Sequence, residues 1–252
     1  MKPDPHDRRN GLRERNATAF DKRFVAPLYL GTAMNPVNTS LIATALVAIA
    51  TCPFLDSTRE IMNPIDPDSS ALLVMDYQPT ILGRVGDAEG LLGRAVRAID
   101  LARGAGLQVG HVRVAFEPAD VANVPATNAA FSRAAAAMPA HAPHTQFHER
   151  VAPCAGDIVV RKTRVGAFST TDLDAKLRAR KVTTLVLAGI STSGVVLSTV
   201  CDGADRDYRL IVLSDGCADP DEEVHRVLLT KVFPRRADVI PIDELAKSLG
   251  QA

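Results

Sequence analysis

A chain of 252 residues, 46% hydrophobic and 23% charged, has the length and apolar content for one α/β domain with a buried core, not for a disordered chain. Basic and acidic residues balance at 29 each, there is no Trp, and aromatic residues make up 4%, which argues against nucleic acid as a partner. Four cysteines, Cys52, Cys154, Cys201 and Cys217, lack CxxC or Cys/His metal spacing and are too scattered for a disulfide framework, so a reducing, cytoplasmic compartment is expected.

Residues 1–24 are polar and largely basic, with Arg8, Arg9, Arg13, Arg15, Lys22 and Arg23 among fewer acids. Val25 to Leu55 then carries no charge. A bilayer crossing needs about 20 apolar residues. Here Pro27, Asn35, Pro36, Asn38, Thr39 and Ser40 interrupt the run, and its cleanest part, Leu41 to Ala50, is nearer a signal-peptide core in length. The stretch RFVAPLYLGTAMNPVNTSLIATALVAIA resembles the opening of a major-facilitator drug transporter. Residues 1–61 therefore read as a fusion or gene-start artefact with Met62 as the natural start, as a membrane anchor, or as a docked or disordered extension. Residues 62–252 form the candidate domain.

From Ala71 the pattern is regular. Ala71 to Met75 is a continuous apolar run, a central strand delivering Asp76, Tyr77 and Gln78 at its end. Leu91, Leu92, Ala95, Ile99 and Ala102 recur at helical spacing between Ala88 and Arg103, closed by Gly104 and Gly106. Leu107 to Phe116 reads as the second strand, with His111 packed inside it. Pro118 to Pro153 is rich in Ala, Pro and His and reads as a loop with one short helix around Asn128 to Met138; prolines separate His141, His144 and His148, so no metal is expected there.

Asp157 to Lys162 is a further strand, ending in an ammonium, and Leu173 to Arg180 a helix. Leu185 to Ala188 is a buried strand. It runs into the small-residue turn Gly189-Ile190-Ser191-Thr192-Ser193-Gly194 and a helix carrying Val195, Val196, Val200 and Ala204. A strand, a tight turn and a helix N-terminus together favour an anion or a developing oxyanion. Arg209 to Asp215 is a strand, Glu222 to Phe233 a helix, Ala237 to Ile240 the last strand and Ile242 to Leu249 a closing helix. Such alternation predicts a three-layer α/β/α domain with a mostly parallel sheet of about six strands.

Asp76, Lys162 and the Gly189 turn all sit at carboxyl ends of strands, which converge on one crevice in an open sheet. A carboxylate and an ammonium meeting there can move protons, or form a structural ion pair.

The pieces Leu73-Val74-Met75-Asp76-Tyr77-Gln78, Lys162 to Phe168, Ala188 to Thr192, Ala204 to Tyr208 and Asp215 to Asp219 resemble, in order, the isochorismatase-like superfamily, many of whose members are called cysteine hydrolases. The resemblance implies Asp76 and Lys162 as catalytic residues and a cis peptide at Ile190–Ser191. It also implies an anion hole from the Ser191 and Val195 backbone N–H groups, and substrate contacts from Gln78, Phe116, Phe168 and Thr192. It places the family's nucleophilic Cys at Val195, which cannot attack a carbonyl. The isochorismatases proper also lack that thiol and hydrolyse a vinyl ether by acid catalysis. The expected activity is hydrolysis of a small anionic metabolite by Asp76 and Lys162 without a thiol, with no cofactor, no metal and a homo-oligomeric assembly. The alternatives are a catalytically silent binding or assembly protein of the same fold, and a thiol-dependent amidase using a displaced Cys. For the latter, Cys201 is expected to face the core or a neighbouring helix, Cys217 to pack, and no hydroxyl of the turn has an evident His base beside it.

Overall fold

The computed structural model describes residues 64–251. The transporter-like segment, Cys52 and Met62 lie outside the described residues. Ser70–Met75 (β1) is buried at all positions, as a strand covered on both faces must be. Its side chains divide by strand alternation: Leu72 and Val74 enter one core cluster, Leu73 and Met75 the other. Pro79–Leu82 (α1) is a single turn, and Ala88–Ala105 (α2) follows. Asp87 caps α2 by accepting from the Gly90 N–H; Gly106, at φ 87°, ends it in a left-handed conformation that glycine adopts without penalty. Leu91, Leu92, Ala95, Ala98, Ile99 and Ala102 form its buried stripe.

Gln108–Val114 (β2) leads into Pro118–Ala122 (α3) and Ala129–Ala135 (α4). The stretch expected to be a loop with one helix thus holds two, and α4 is shorter than expected. Pro118 stands at the first helical position of α3, where its missing N–H costs nothing, and Asp120 Oδ2 accepts from the Glu117 N–H at 2.9 Å. Ile158–Lys162 (β3), Leu173–Ala179 (α5), Thr184–Ile190 (β4) and Leu197–Ala204 (α6) continue the alternation.

Arg209–Ala218 (β5) runs past the expected end at Asp215. Between the pairs Leu187↔Val212 and Gly189↔Cys217, β4 advances two residues while β5 advances five, so β5 carries a bulge. Three contacts pin it: Tyr77 Oη donates to Gly216 O at 2.6 Å, Arg94 Nε to Asp215 O at 2.7 Å, and the Ile242 N–H to Asp215 Oδ1 at 2.9 Å. Glu222–Val227 (α7) passes into a π turn over Leu228–Val232 and a 3-10 turn over Phe233–Arg235, where Pro234 has no N–H to extend the ladder. Asp238–Ile240 (β6) and Ile242–Ser248 (α8) close the domain.

All six strands are parallel, in the order β3-β2-β1-β4-β5-β6. The chain builds outward from β1 to β2 and β3, then returns to the other flank of β1 to lay β4. The strand order reverses between β1 and β4, and the carboxyl edge beside that reversal is where an open α/β sheet leaves a crevice. Residues of α2 and α8 cover one face and residues of α5 and α6 the other. Among the described residues no helix is long and apolar enough to cross a membrane.

Candidate active site

β1 ends at Met75, and Asp76 takes a φ of 61°. That left-handed conformation is uncommon for a residue with a side chain, and Asp is among those that tolerate it best. The Asp76 N–H donates to Val112 O and its carbonyl accepts from the Gln78 N–H, both at 2.8 Å. Lys162 is the last residue of β3, two strands away. Strands lie about 4.8 Å apart, so a long stem is needed to cross β2. Lys162 Nζ reaches Asp76 Oδ2 at 2.8 Å, and both side chains are buried.

The loop after β3 folds over the ammonium, giving it Arg164 O at 3.2 Å and Val165 O at 2.9 Å. All three Lys162 donors are thereby engaged. Asp76 Oδ1 is buried and makes no hydrogen bond with a described residue. Burial raises the Asp76 carboxyl above the ordinary range, against the opposing pull of Lys162. The arrangement therefore offers one oxygen fixed by a cation and one free oxygen able to carry a proton.

β4 ends at Ile190, and the Ile190–Ser191 peptide is cis. Met75, the last residue of β1, pairs with Gly189 of β4, so Asp76 and the turn after β4 follow at the same edge of the sheet. Gly189 permits this approach: a Cβ there would lie 3.2 Å from Met75 Cβ and 3.1 Å from Val196 Cγ2. Thr192–Val196 forms one π turn leading into α6. The Ser193 N–H donates to Asp219 Oδ2 at 2.7 Å, and the Gly194 and Val196 N–H groups both donate to Ser191 O. The Val195 side chain is buried in the core cluster of that face.

The structure brings Asp76, Lys162 and the Ser191 turn to one edge of the sheet. The four pocket candidates fare differently. Gln78 is engaged throughout: Nε2 donates to Val114 O at 2.9 Å and Thr145 O at 2.6 Å, while Oε1 accepts from the Val114 N–H at 2.9 Å. Its amide clamps backbone, with both Nε2 donors spent and one acceptor site left on Oε1. Phe168 is stacked on Tyr208 at 5.9 Å inside the core. Phe116 is buried just past β2, 6.1 Å from the Phe131 ring. Thr192 is buried, and its Oγ1 lies 2.8 Å from His225 Nδ1. A histidine therefore does stand beside a turn hydroxyl, contrary to expectation. Burial lowers the His225 pKa, so the neutral ring accepts from Thr192 near pH 7.

The cysteines also depart in part from expectation. Cys217 is buried, and burial pushes its thiol up to about 12, leaving it protonated and inert. Cys201 faces outward from α6 instead of inward. With Val165, Gly194, Leu197, Ser198 and Asp202 it lines an open groove of about 590 Å³, which neither Asp76 nor Lys162 lines. His141, His144 and His148 bond separately, to Glu117 Oε2, Ala137 O and the Arg150 N–H. Among the described residues no three His, Cys, Asp or Glu side chains are grouped as metal ligands would be.

Comparison with known proteins agrees with this geometry. A sequence model of the Isochorismatase domain family matches residues 70–244. Maleamate amidohydrolase of Pseudomonas putida is 31% identical over 176 residues, covering 69% of this chain and 78% of that protein. Ureidoacrylate amidohydrolase of Methylobacterium radiotolerans is 36% identical over 193 residues, covering 67% and 74%. The crystal structure of a cysteine hydrolase from Pseudomonas syringae superposes with a TM-score of 0.71 at 25% identity, covering 77% of this chain and 98% of that one. A parallel six-stranded sheet of this order, matched over most of its length by sequence and by structure, makes the chain a member of the isochorismatase superfamily of hydrolases.

Proposed function

We propose that this hydrolase acts on a small anionic metabolite through proton transfer at Asp76, with Lys162 as its electrostatic partner and water as the nucleophile. The observation that carries the reading is the buried pair at 2.8 Å whose second carboxylate oxygen is free, beside a turn where the family resemblance puts Val195 in place of the thiol. A carboxyl raised by burial can hold a proton at a pH where an exposed one has lost it.

An enol ether suits this equipment best. Protonated Asp76 gives its proton to the terminal carbon of the double bond, leaving an oxocarbenium ion. Water adds to the oxygen-bearing carbon of that ion and returns a proton to the Asp76 carboxylate. The resulting hemiketal breaks its C–O bond to give a ketone and an alcohol, and no thiol is needed. The Ser191 and Val195 N–H groups are backbone donors, so a valine keeps them; they suit a substrate anion or an oxygen gaining negative charge. An anionic substrate agrees with the two relatives, whose names both denote acids.

A panel of enol-ether acids and amide acids, assayed on the full chain, on Asp76→Asn and on Lys162→Met, tests this. Turnover should fall by about 100-fold or more in each variant. Turnover that survives in Asp76→Asn removes the mechanism. The complete burial of both catalytic side chains favours one second reading, a silent binding protein, and thermal stabilisation by a ligand with no turnover of any substrate would support it.

A further inference from the structure

The loop that wraps Lys162 carries a guanidinium without a counter-ion among the described residues. Arg164 is half-buried; its Nη1 donates to Thr163 O at 2.6 Å and its Cζ lies 5.7 Å over the Phe131 ring. Among the described residues the other half-buried arginines are all engaged. Arg94, Arg161, Arg206 and Arg209 meet carboxylates, and Arg113 donates to Ala140 O and Thr145 O. Arg164 forms no ion pair with a described residue. The acid that senses its charge, Asp120, is held by Arg161 and by the Glu117 N–H.

Its place is as telling as its pairing. The Arg164 carbonyl is itself a ligand of Lys162 Nζ, so the residue begins within the catalytic cluster. Phe131, under its guanidinium, packs against Phe116, which follows β2 between the strands that deliver Asp76 and Lys162. The aromatic face fixes the guanidinium plane and leaves most of its five N–H donors unengaged. A planar fork with free donors, partly withdrawn from water, binds a carboxylate in two parallel hydrogen bonds.

From this placement we infer that Arg164 receives a carboxylate of the substrate at the rim of the crevice, anchoring it so that its scissile end lies against Asp76. The inference rests on the reading of Asp76 and Lys162 as the catalytic pair, and it adds the substrate class: a small acid whose carboxylate is separate from the bond that breaks.

Equilibrium binding tests it independently of turnover. Maleate, succinate and the uncharged diamide maleamide are titrated by thermal shift against the full chain, Arg164→Met, Arg164→Lys and Asp76→Asn. The dicarboxylates should stabilise wild type and Asp76→Asn. Arg164→Met should weaken them by about tenfold or more, with Arg164→Lys between, because a point charge replaces a fork. Any effect of maleamide should be the same in all four proteins. Equal dicarboxylate affinity in Arg164→Met and wild type, or no stabilisation of wild type by either dicarboxylate, overturns the inference. Both results leave the Asp76 chemistry standing, whereas turnover surviving in Asp76→Asn removes that chemistry and leaves the binding result intact.

Discussion

Asp76 and Lys162 meet at 2.8 Å although β2 stands between the strands that carry them. The pairing is a consequence of sheet order: the long lysine stem crosses the end of β2 towards a carboxylate turned by a left-handed backbone. Two buried charges cost several kcal/mol each to desolvate, and only their mutual attraction and added hydrogen bonds offset that. Lys162 has those bonds; Asp76 Oδ1 lacks one. The cost left at Asp76 favours its protonated form.

Removing either partner should therefore have unequal effects. In Asp76→Asn the new residue tolerates the φ of 61°, but the Lys162 ammonium is left buried without a counter-charge, at a cost of about 3–5 kcal/mol. In Lys162→Met the carboxyl can avoid charge by keeping its proton. The Asp76 pKa is already raised above 3.8 in the folded state, and losing Lys162 raises it further. Its contribution to stability is then fully present below the unfolded value and is lost as pH rises through the folded pKa. Melting curves of Lys162→Met from about pH 4 to about pH 8 should show a larger fall relative to wild type than those of Asp76→Asn.

Gln78→Leu should unfold the edge around the site more than any loss of a ligand contact would. The Val114 N–H and carbonyl lose their partner, whereas Thr145 O keeps Arg113 at 3.1 Å. Two orphaned backbone groups cost about 2–5 kcal/mol together. Denaturant melts measure this, and a change under about 1 kcal/mol would return Gln78 to the ligand pocket.

The same residue shows what could and could not be read from sequence. Continuous apolar runs marked β1 and β4 because a strand covered on both faces must be apolar throughout, and α2 was marked by its stripe and caps. Gln78 gave no sign of its clamp, since its partners are backbone groups far along the chain. The Thr192–His225 contact was hidden likewise, across 33 residues and two secondary elements. Cys201 was legible and misread: Val196, Thr199, Val200 and Gly203 form the inward stripe, which turns position 201 outward. The bulge in β5 left no periodic mark, because it is set by the contacts of Tyr77, Arg94 and Asp215.

Val195→Cys should introduce a reactive thiol at the turn. Position 195 lies in the π turn that leads into α6, and the N-terminal end of a helix lowers a thiol pKa. Cysteine is smaller than the buried valine, so a loss of about 1 kcal/mol is expected. Iodoacetamide should modify position 195 only in the variant, and amide acids should become substrates through a thioester visible by mass spectrometry. In wild type, alkylation of the exposed Cys154 and Cys201 should leave turnover unchanged. Loss of wild-type turnover on alkylation would restore the displaced-thiol reading.

The hydroxyl–imidazole contact gives the turn a pH limit distinct from that of Asp76. Burial lowers the His225 pKa below 6.5. The folded state then binds fewer protons than the unfolded state between those two values, so stability falls as pH drops from the unfolded value through the folded one. Protonation also makes Nδ1 a donor, and the Thr192 hydroxyl must reverse from donating to accepting. Thr192→Val removes the contact at nearly constant volume and leaves Nδ1 without its partner, at a cost of about 1 kcal/mol near neutral pH. That cost should shrink as the pH falls, because water can solvate the protonated ring of a half-buried histidine, whereas His225→Asn should reduce the acid-side slope and leave the share of His111, whose pKa burial also lowers. Melting temperatures of both variants against pH measure this; an unchanged slope in His225→Asn would assign the titration to another group.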